Sequence, residues 1–236
     1  MRDFDRAITG NTDEGQKAAL MWVTARLKKN QRILVSLPSK SATPEDGPLA
    51  DAIAWHPSLF AISYPRKPAH SWDGGPVISY CETEKAIHSH ERSPYTTCLC
   101  VIQFSETDTQ AWEMATSPSR LVDVQGDVEP LELDPVVIAA LEDMTAMVNL
   151  STGLANSSDK SVAIISVKRL HAGGYDLPVE TIKAWCLRNG WKQSGISDLE
   201  RIISDTIKGK HLRAPNPGIL KEDILQQWEQ KASETR

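Results

Sequence analysis

Between Pro135 and Lys210 one pattern recurs four times, an apolar stripe at helical spacing followed by a glycine, proline or polar break. Before it, short apolar runs alternate with helix-like stretches. A helix buries a stripe of period 3.6 and a buried strand a continuous short run, so the two stretches cannot share one layered architecture. The expected fold is therefore α/β, a mostly parallel sheet with flanking helices, followed by a smaller all-α domain. The first is expected over residues 1–125 and the second over 134–236. Between them Gly126 and Pro130, with Asp127, Glu129 and Glu132, interrupt both patterns.

In the first half, Thr12 can cap a helix over 12–29 whose repeating face is Ala18, Met21, Trp22 and Ala25. Strands are expected at Arg32 to Leu37, Leu59 to Tyr64, Pro76 to Tyr80 and Thr97 to Phe104, and a short closing one at Leu121 to Val124. Helical material is expected around Ala50 to Trp55, Glu82 to Glu91 and Thr109 to Ser117. The link from Tyr64 to Pro76 lacks a helix, so it is either an exposed loop or a place where two strands run antiparallel. In the second half, Asp134-Pro135, Asp159, Leu177-Pro178 and Ser197 are the expected helix starts. Pro215-Asn216-Pro217-Gly218 is a stiff break before a last helix carrying Ile224, Leu225 and Trp228.

Charge is segregated along the chain. Cys98 to Leu150 holds ten Asp or Glu against Arg120 alone, and Ser158 to Arg213 holds ten Lys or Arg against six acids, within a net charge of −5. The segregation suits orientation of a partner. Lys183, Arg188, Lys192, Arg201, Lys208 and Lys210 are the expected contact residues, and the partner is a protein or a nucleic acid. The seven residues from Asn189 to Gly195 are too long a bridge for a helix-turn-helix. No run reaches the roughly 20 apolar residues of a membrane span, and no signal-peptide core opens the chain, so a cytoplasmic protein with no membrane partner is expected. The four cysteines are then free thiols.

Catalytic and cofactor motifs of high specificity are missing. Neither Gly-x-Gly-x-x-Gly nor the Gly-x-x-x-x-Gly-Lys-Ser/Thr loop follows a predicted strand, and there is no Gly-x-Ser-x-Gly elbow. Ser39, Lys40 and Ser41 after the first predicted strand, with Gly74 and Gly75 before a later one, form an alternative phosphate or nucleotide site for an enzyme reading. Cys81, His88, His90, Cys98 and Cys100 are the densest group of metal-ligand types, but their spacing is poor for zinc and no metal or cofactor is expected. His56 and His70 are solvent-exposed or structural, and Glu142 and Asp143 read as a solvated face. Trp185 and Trp191 are expected to close the core at a helix end. The favoured function is a non-catalytic interaction protein whose basic helical half engages the partner.

Leu133-Asp134-Pro135, Asp159-Lys160 and the run from Gly173-Gly174-Tyr175-Asp176-Leu177-Pro178 through Ala184-Trp185 to Asn189-Gly190-Trp191 resemble a pattern in uncharacterised bacterial proteins of unknown function. The resemblance covers about a third of the chain. It implies a bacterial, cytoplasmic setting and assigns no functional residue.

Overall fold

The computed structural model describes residues 3–56, 58–63, 72–128 and 130–234. The chain divides into two compact units, residues 1–129 and 130–236.

The first unit is a six-stranded sheet in which every pairing is parallel. Its elements are β1 (Asp5–Gly10), α1 (Asp13–Thr24), β2 (Ile33–Ser36), α2 (Gly47–Trp55), β3 (Phe60–Ser63) and β4 (Gly75–Tyr80). They are followed by α3 (Glu84–Arg92), β5 (Thr96–Gln103), α4 (Gln110–Thr116) and β6 (Ser119–Arg120). The strand order is β3-β2-β4-β5-β1-β6. Since β3 and β4 both run parallel to β2, the antiparallel alternative is excluded; the link itself, from Tyr64 to Ser71, lies outside the described residues. Helices cover both faces. Ala19 and Val23 of α1 and Leu49 of α2 pack with Val35, Ile78, Cys100 and Ile102 on one face, while Ile87 of α3 and Trp112 of α4 pack with Ile8, Val77, Leu99 and Val101 on the other.

Strand β1 was not expected. Its short run, Asp5-Arg6-Ala7-Ile8-Thr9-Gly10, carries a charge in mid-strand, which argues against burial until the partner is known. That partner is Glu91, which takes Arg6 Nε and Nη2 at 2.8 and 3.0 Å and also accepts Trp112 Nε1 at 2.9 Å. A paired guanidinium can be buried where a lone one cannot. The helix face of α1 also differs from the expectation. Gly15, Gln16, Ala19 and Val23 are buried, and Met21 is 74% exposed. Small residues face the sheet because α1 starts only two residues after β1 and must lie close to it. The closing strand falls at Ser119–Arg120, two residues before the expected one.

The second unit contains α5 (Pro135–Met147), α6 (Ser157–Ala172), α7 (Val179–Arg188), α8 (Gln193–Ile207) and α9 (Ile224–Glu234). Asp134 caps α5 by accepting Val136 N, and Val137, Ala140, Leu141 and Met144 form its buried stripe. Two helix starts differ from the sequence reading. Asn156, not Asp159, caps α6; its Oδ1 accepts Asp159 N, and the buried Asp159 carboxylate accepts Asn149 N and Asn156 Nδ2. Helix α8 begins at Gln193, four residues before the expected cap Ser197, because Gly195 is helical rather than a break. Its missing Cβ leaves room for Gly153 and the Trp191 ring, each of which a Cβ there would meet at 3.3 Å. Trp191 is buried and donates Nε1 to Thr145 Oγ1, closing the core beneath the turn as expected. Glu142 and Asp143 are not merely solvated: Trp228 Nε1 donates to Asp143, and Lys231 pairs with both, tying α9 to α5.

The close seating of α1 gives a test with an inverted sign. Alanine is ordinarily better than glycine in a helix by about 1 kcal/mol, yet a Cβ on Gly15 would collide with Gly10 O and come within 2.9 Å of Thr9 Oγ1. Gly15→Ala is expected to destabilise the chain by about 2 kcal/mol, read as a lower urea midpoint. An unchanged or higher midpoint would refute the packing described.

Candidate functional site

Two regions concentrate chemistry-bearing side chains, one in each unit. In the α/β unit it is the C-terminal edge of the sheet, where adjacent strands β1 and β5 send their connections to opposite faces, the kind of place where such sheets bind ligands. Gly10 and Gly15 bracket the β1–α1 turn with the four-residue gap of a phosphate loop, a spacing invisible while β1 was unrecognised. The turn does not present an empty anion site. Thr12 Oγ1 accepts Gly15 N and donates to Asp123 Oδ2 at 2.7 Å, and Asp13 and Glu14 occupy the first turn of α1. Their charges take the place an anion would need at the positive helix end. Gln16 closes the rest: its Oε1 accepts Leu49 N and its Nε2 donates to Asn11 Oδ1.

The residues of the alternative phosphate site are not brought together. Ser39, Lys40 and Ser41 follow β2 at the C-terminal edge, whereas Gly74 and Gly75 lie at the start of β4, at the opposite end of these parallel strands. Ser39 and Ser41 bond each other at 2.9 Å. A Cβ on Gly74 would meet Tyr95 O at 3.1 Å, so that glycine serves a close backbone approach.

The cysteine and histidine group is dispersed likewise. Cys98 and Cys100 are buried on β5, Cys81 follows β4, and His88 and His90 sit on α3. Among the described residues no three His, Cys, Asp or Glu side chains are placed to hold a metal. All four cysteines are unpaired. Burial pushes the Cys81 and Cys98 thiols up to about 11 and those of Cys100 and Cys186 higher still, away from thiolate reactivity. His90 Nε2 lies 3.0 Å from Glu82 Oε2, and Glu82 also accepts Ser36 Oγ at 2.8 Å and Ser79 Oγ at 2.7 Å. Both hydroxyls point at the buried carboxylate rather than at the imidazole. The cluster ties β2, β4 and α3 together and lacks the serine-to-histidine contact of nucleophilic catalysis. His56 is exposed, and His70 lies outside the described residues.

In the helical unit the six expected contact residues form no open basic face. Lys183 is buried and paired with Glu180. Arg201 pairs with Asp198, Lys210 with Asp205, and Lys192 Nζ donates to Ser151 O. Arg188 and Lys208 are exposed at the ends of α7 and α8. With α8 starting at Gln193, the α7–α8 turn is Asn189 to Lys192, containing Gly190 at φ +81°, which corrects the seven-residue estimate and matches helix-turn-helix spacing. Such a motif reads DNA with the first turns of its second helix. Here a Cβ on Gly153 would come within 3.0 Å of Gly195 N and Ser194 Oγ, so the 151–153 segment lies against that turn, and Asp198, Glu200 and Asp205 line the helix beyond it.

Of the side chains that do converge, the sequence reading considered Arg213 for phosphate contact but missed Lys168, Arg169 and His211. Ile165, Lys168, Arg169 and Ala172 share one face of α6 at i, i+3, i+4 and i+7. Against that face runs the segment after α8, with Asn216 N donating to Ser161 Oγ at 2.8 Å and Lys168 Nζ reaching Leu212 O at 3.5 Å. The two enclose an open groove of about 520 Å³ lined by Lys168, Arg169, His211 and Arg213 together with Ile164, Ile165, Leu212 and Pro217. Among the described residues no acidic side chain lines it. The signal available in the sequence was the placing of Lys168 and Arg169 at i+3 and i+4 from Ile165, but only the structure brings residues 211–217 against them.

Burial lowers the His88 imidazole from 6.5 to about 4, helped by Arg92 and opposed by Glu91. Below pH 6.5 the unfolded imidazole takes up a proton that the folded one refuses until about pH 4, so stability is complete above pH 6.5 and falls as pH drops through that window. The loss is expected to reach about 2 kcal/mol, less than the full shift because of residual solvent screening. His88→Leu should flatten this part of a urea-midpoint profile; an identical slope in the variant would contradict the assignment.

No curated protein matches the chain. No helix among the described residues is long and apolar enough to cross a membrane. The crystal structure of a protein from Salmonella typhimurium is similar at 21% identity and a TM-score of 0.37, over 42% of this chain and 98% of its own. Residues 133–229, which span α5 to α8 and part of α9, match the family described as a domain of unknown function, DUF1889.

Proposed function

We propose that the chain is a non-catalytic interaction protein whose helical unit binds an anionic partner through the α6 groove. One observation carries this reading: Lys168, Arg169, His211 and Arg213 line an open groove with no acidic side chain among its described lining residues, in a unit where Lys183, Arg201 and Lys210 are each paired with a neighbouring carboxylate. Like-signed side chains held together repel one another, and an anionic ligand relieves that repulsion. The enzyme alternative is supported less, because the polar groups at the sheet edge satisfy one another.

The reading predicts salt-dependent binding of the full chain to at least one of two fluorescent polyanions, poly-L-glutamate or a 20-residue oligothymidylate, at low ionic strength. Lys168→Glu combined with Arg169→Glu should weaken it at least about tenfold. Both positions are exposed, so circular dichroism should remain unchanged. Failure of both polyanions to bind, or equal binding by the variant, would overturn the proposal.

A further inference from the structure

We infer that the α6 groove takes an acidic amphipathic segment of a protein partner rather than a nucleic acid. This rests on the groove being the binding surface and names what fills it. Three features of the helical unit select the partner.

The groove is two-sided in character. Lys168, Arg169, His211 and Arg213 supply positive or donor groups, and Ile165, Leu212, Ala214 and Pro217 supply apolar surface between them. A nucleic-acid backbone would use the first set and leave the second unmatched. An amphipathic helix satisfies both, with leucine-like side chains on the apolar residues and carboxylates on the basic ones. From Ile165 to Ala172 the α6 face spans about 10 Å, two turns of helix, which suits two turns of a partner segment.

The second feature is the lining, which contains no aromatic ring among the described residues. Single-stranded nucleic acids are held in basic grooves largely by base stacking on such rings, and this groove offers none. The third is electrostatic. Residues 130–236 hold 13 Lys or Arg against 14 Asp or Glu. A long polyphosphate lying in the groove would extend over a surface with no net positive charge, whereas nucleic-acid-binding domains carry a broad basic field. A short acidic segment needs only the local patch. The other route to DNA, through α8, is closed by the 151–153 segment against its first turn.

The test is selection of a displayed library of random 16-residue peptides on the full-length chain, counter-selected on the Lys168→Glu, Arg169→Glu variant. Selected peptides are then measured by fluorescence anisotropy beside the 20-residue oligothymidylate and a 20-base-pair duplex. The expected peptides carry excess Asp and Glu with apolar residues three or four apart. They should bind at least about tenfold more weakly to the charge-reversed variant, with a similar loss in a second variant, His211→Ala with Arg213→Ala, altered only on the loop side. Peptides without acidic excess, or equal affinity for the variants, would overturn the inference. Groove-dependent binding of either nucleic acid with no groove-dependent acidic peptide would overturn it too, while leaving the anionic-partner reading standing. Loss of all groove-dependent anion binding would remove both.

Discussion

The helical unit owes its concave face to a small set of bonds that lay the segment after α8 along α6. Ser161 Oγ, fully buried, accepts Asn216 N at 2.8 Å and itself donates to Ser157 O, one turn earlier in the same helix. Gly209, at φ +70°, ends α8 and turns the chain, with Lys210 N returning to Asp205 O. Pro215 and Pro217 then restrict the backbone on either side of Asn216. The backbone course this produces puts His211 and Arg213 opposite Lys168 and Arg169, which a freely moving loop would instead let drift apart. Among the described residues no carboxylate lines the groove to offset Lys168, Arg169 and Arg213.

In the α/β unit several charged and polar groups are bonded to one another. Arg6 and Glu91 are buried together with Trp112, Glu82 gathers Ser36, Ser79 and His90, and Glu113 pairs with Arg120. Buried polar groups cost stability unless they are bonded in this way. The sheet edge that in many α/β folds receives a phosphate is occupied here by Thr12, Asp13, Glu14 and Asp123. The contrast between the bonded clusters of the α/β unit and the basic groove of the helical one is why we propose the latter as the binding surface.

Much of the architecture was legible in the residues. Runs such as Arg32 to Leu37 and Thr97 to Phe104 announce buried parallel strands, and the Asp134-Pro135 start and the Val137, Ala140, Leu141, Met144 stripe announce α5. What escaped shares a physical cause: it depended on a partner distant in sequence. Strand β1 needed Glu91 to neutralise Arg6, 85 residues away. The start of α8 needed Gly153 to explain why Gly195 is helical. Position along the chain cannot show that Glu180, Asp198 and Asp205 pair with Lys183, Arg201 and Lys210. Lys168 and Arg169 gain their meaning only when residues 211–217 return to them.

The most direct measurement is hydrogen exchange on the full-length chain with and without saturating poly-L-glutamate, followed by mass spectrometry. If the α6 groove is the binding surface, slowed exchange will be concentrated in residues 164–172 and 211–217. Slowing confined to the exposed side of α8 or to the β1–α1 turn, or none at all, would contradict the account.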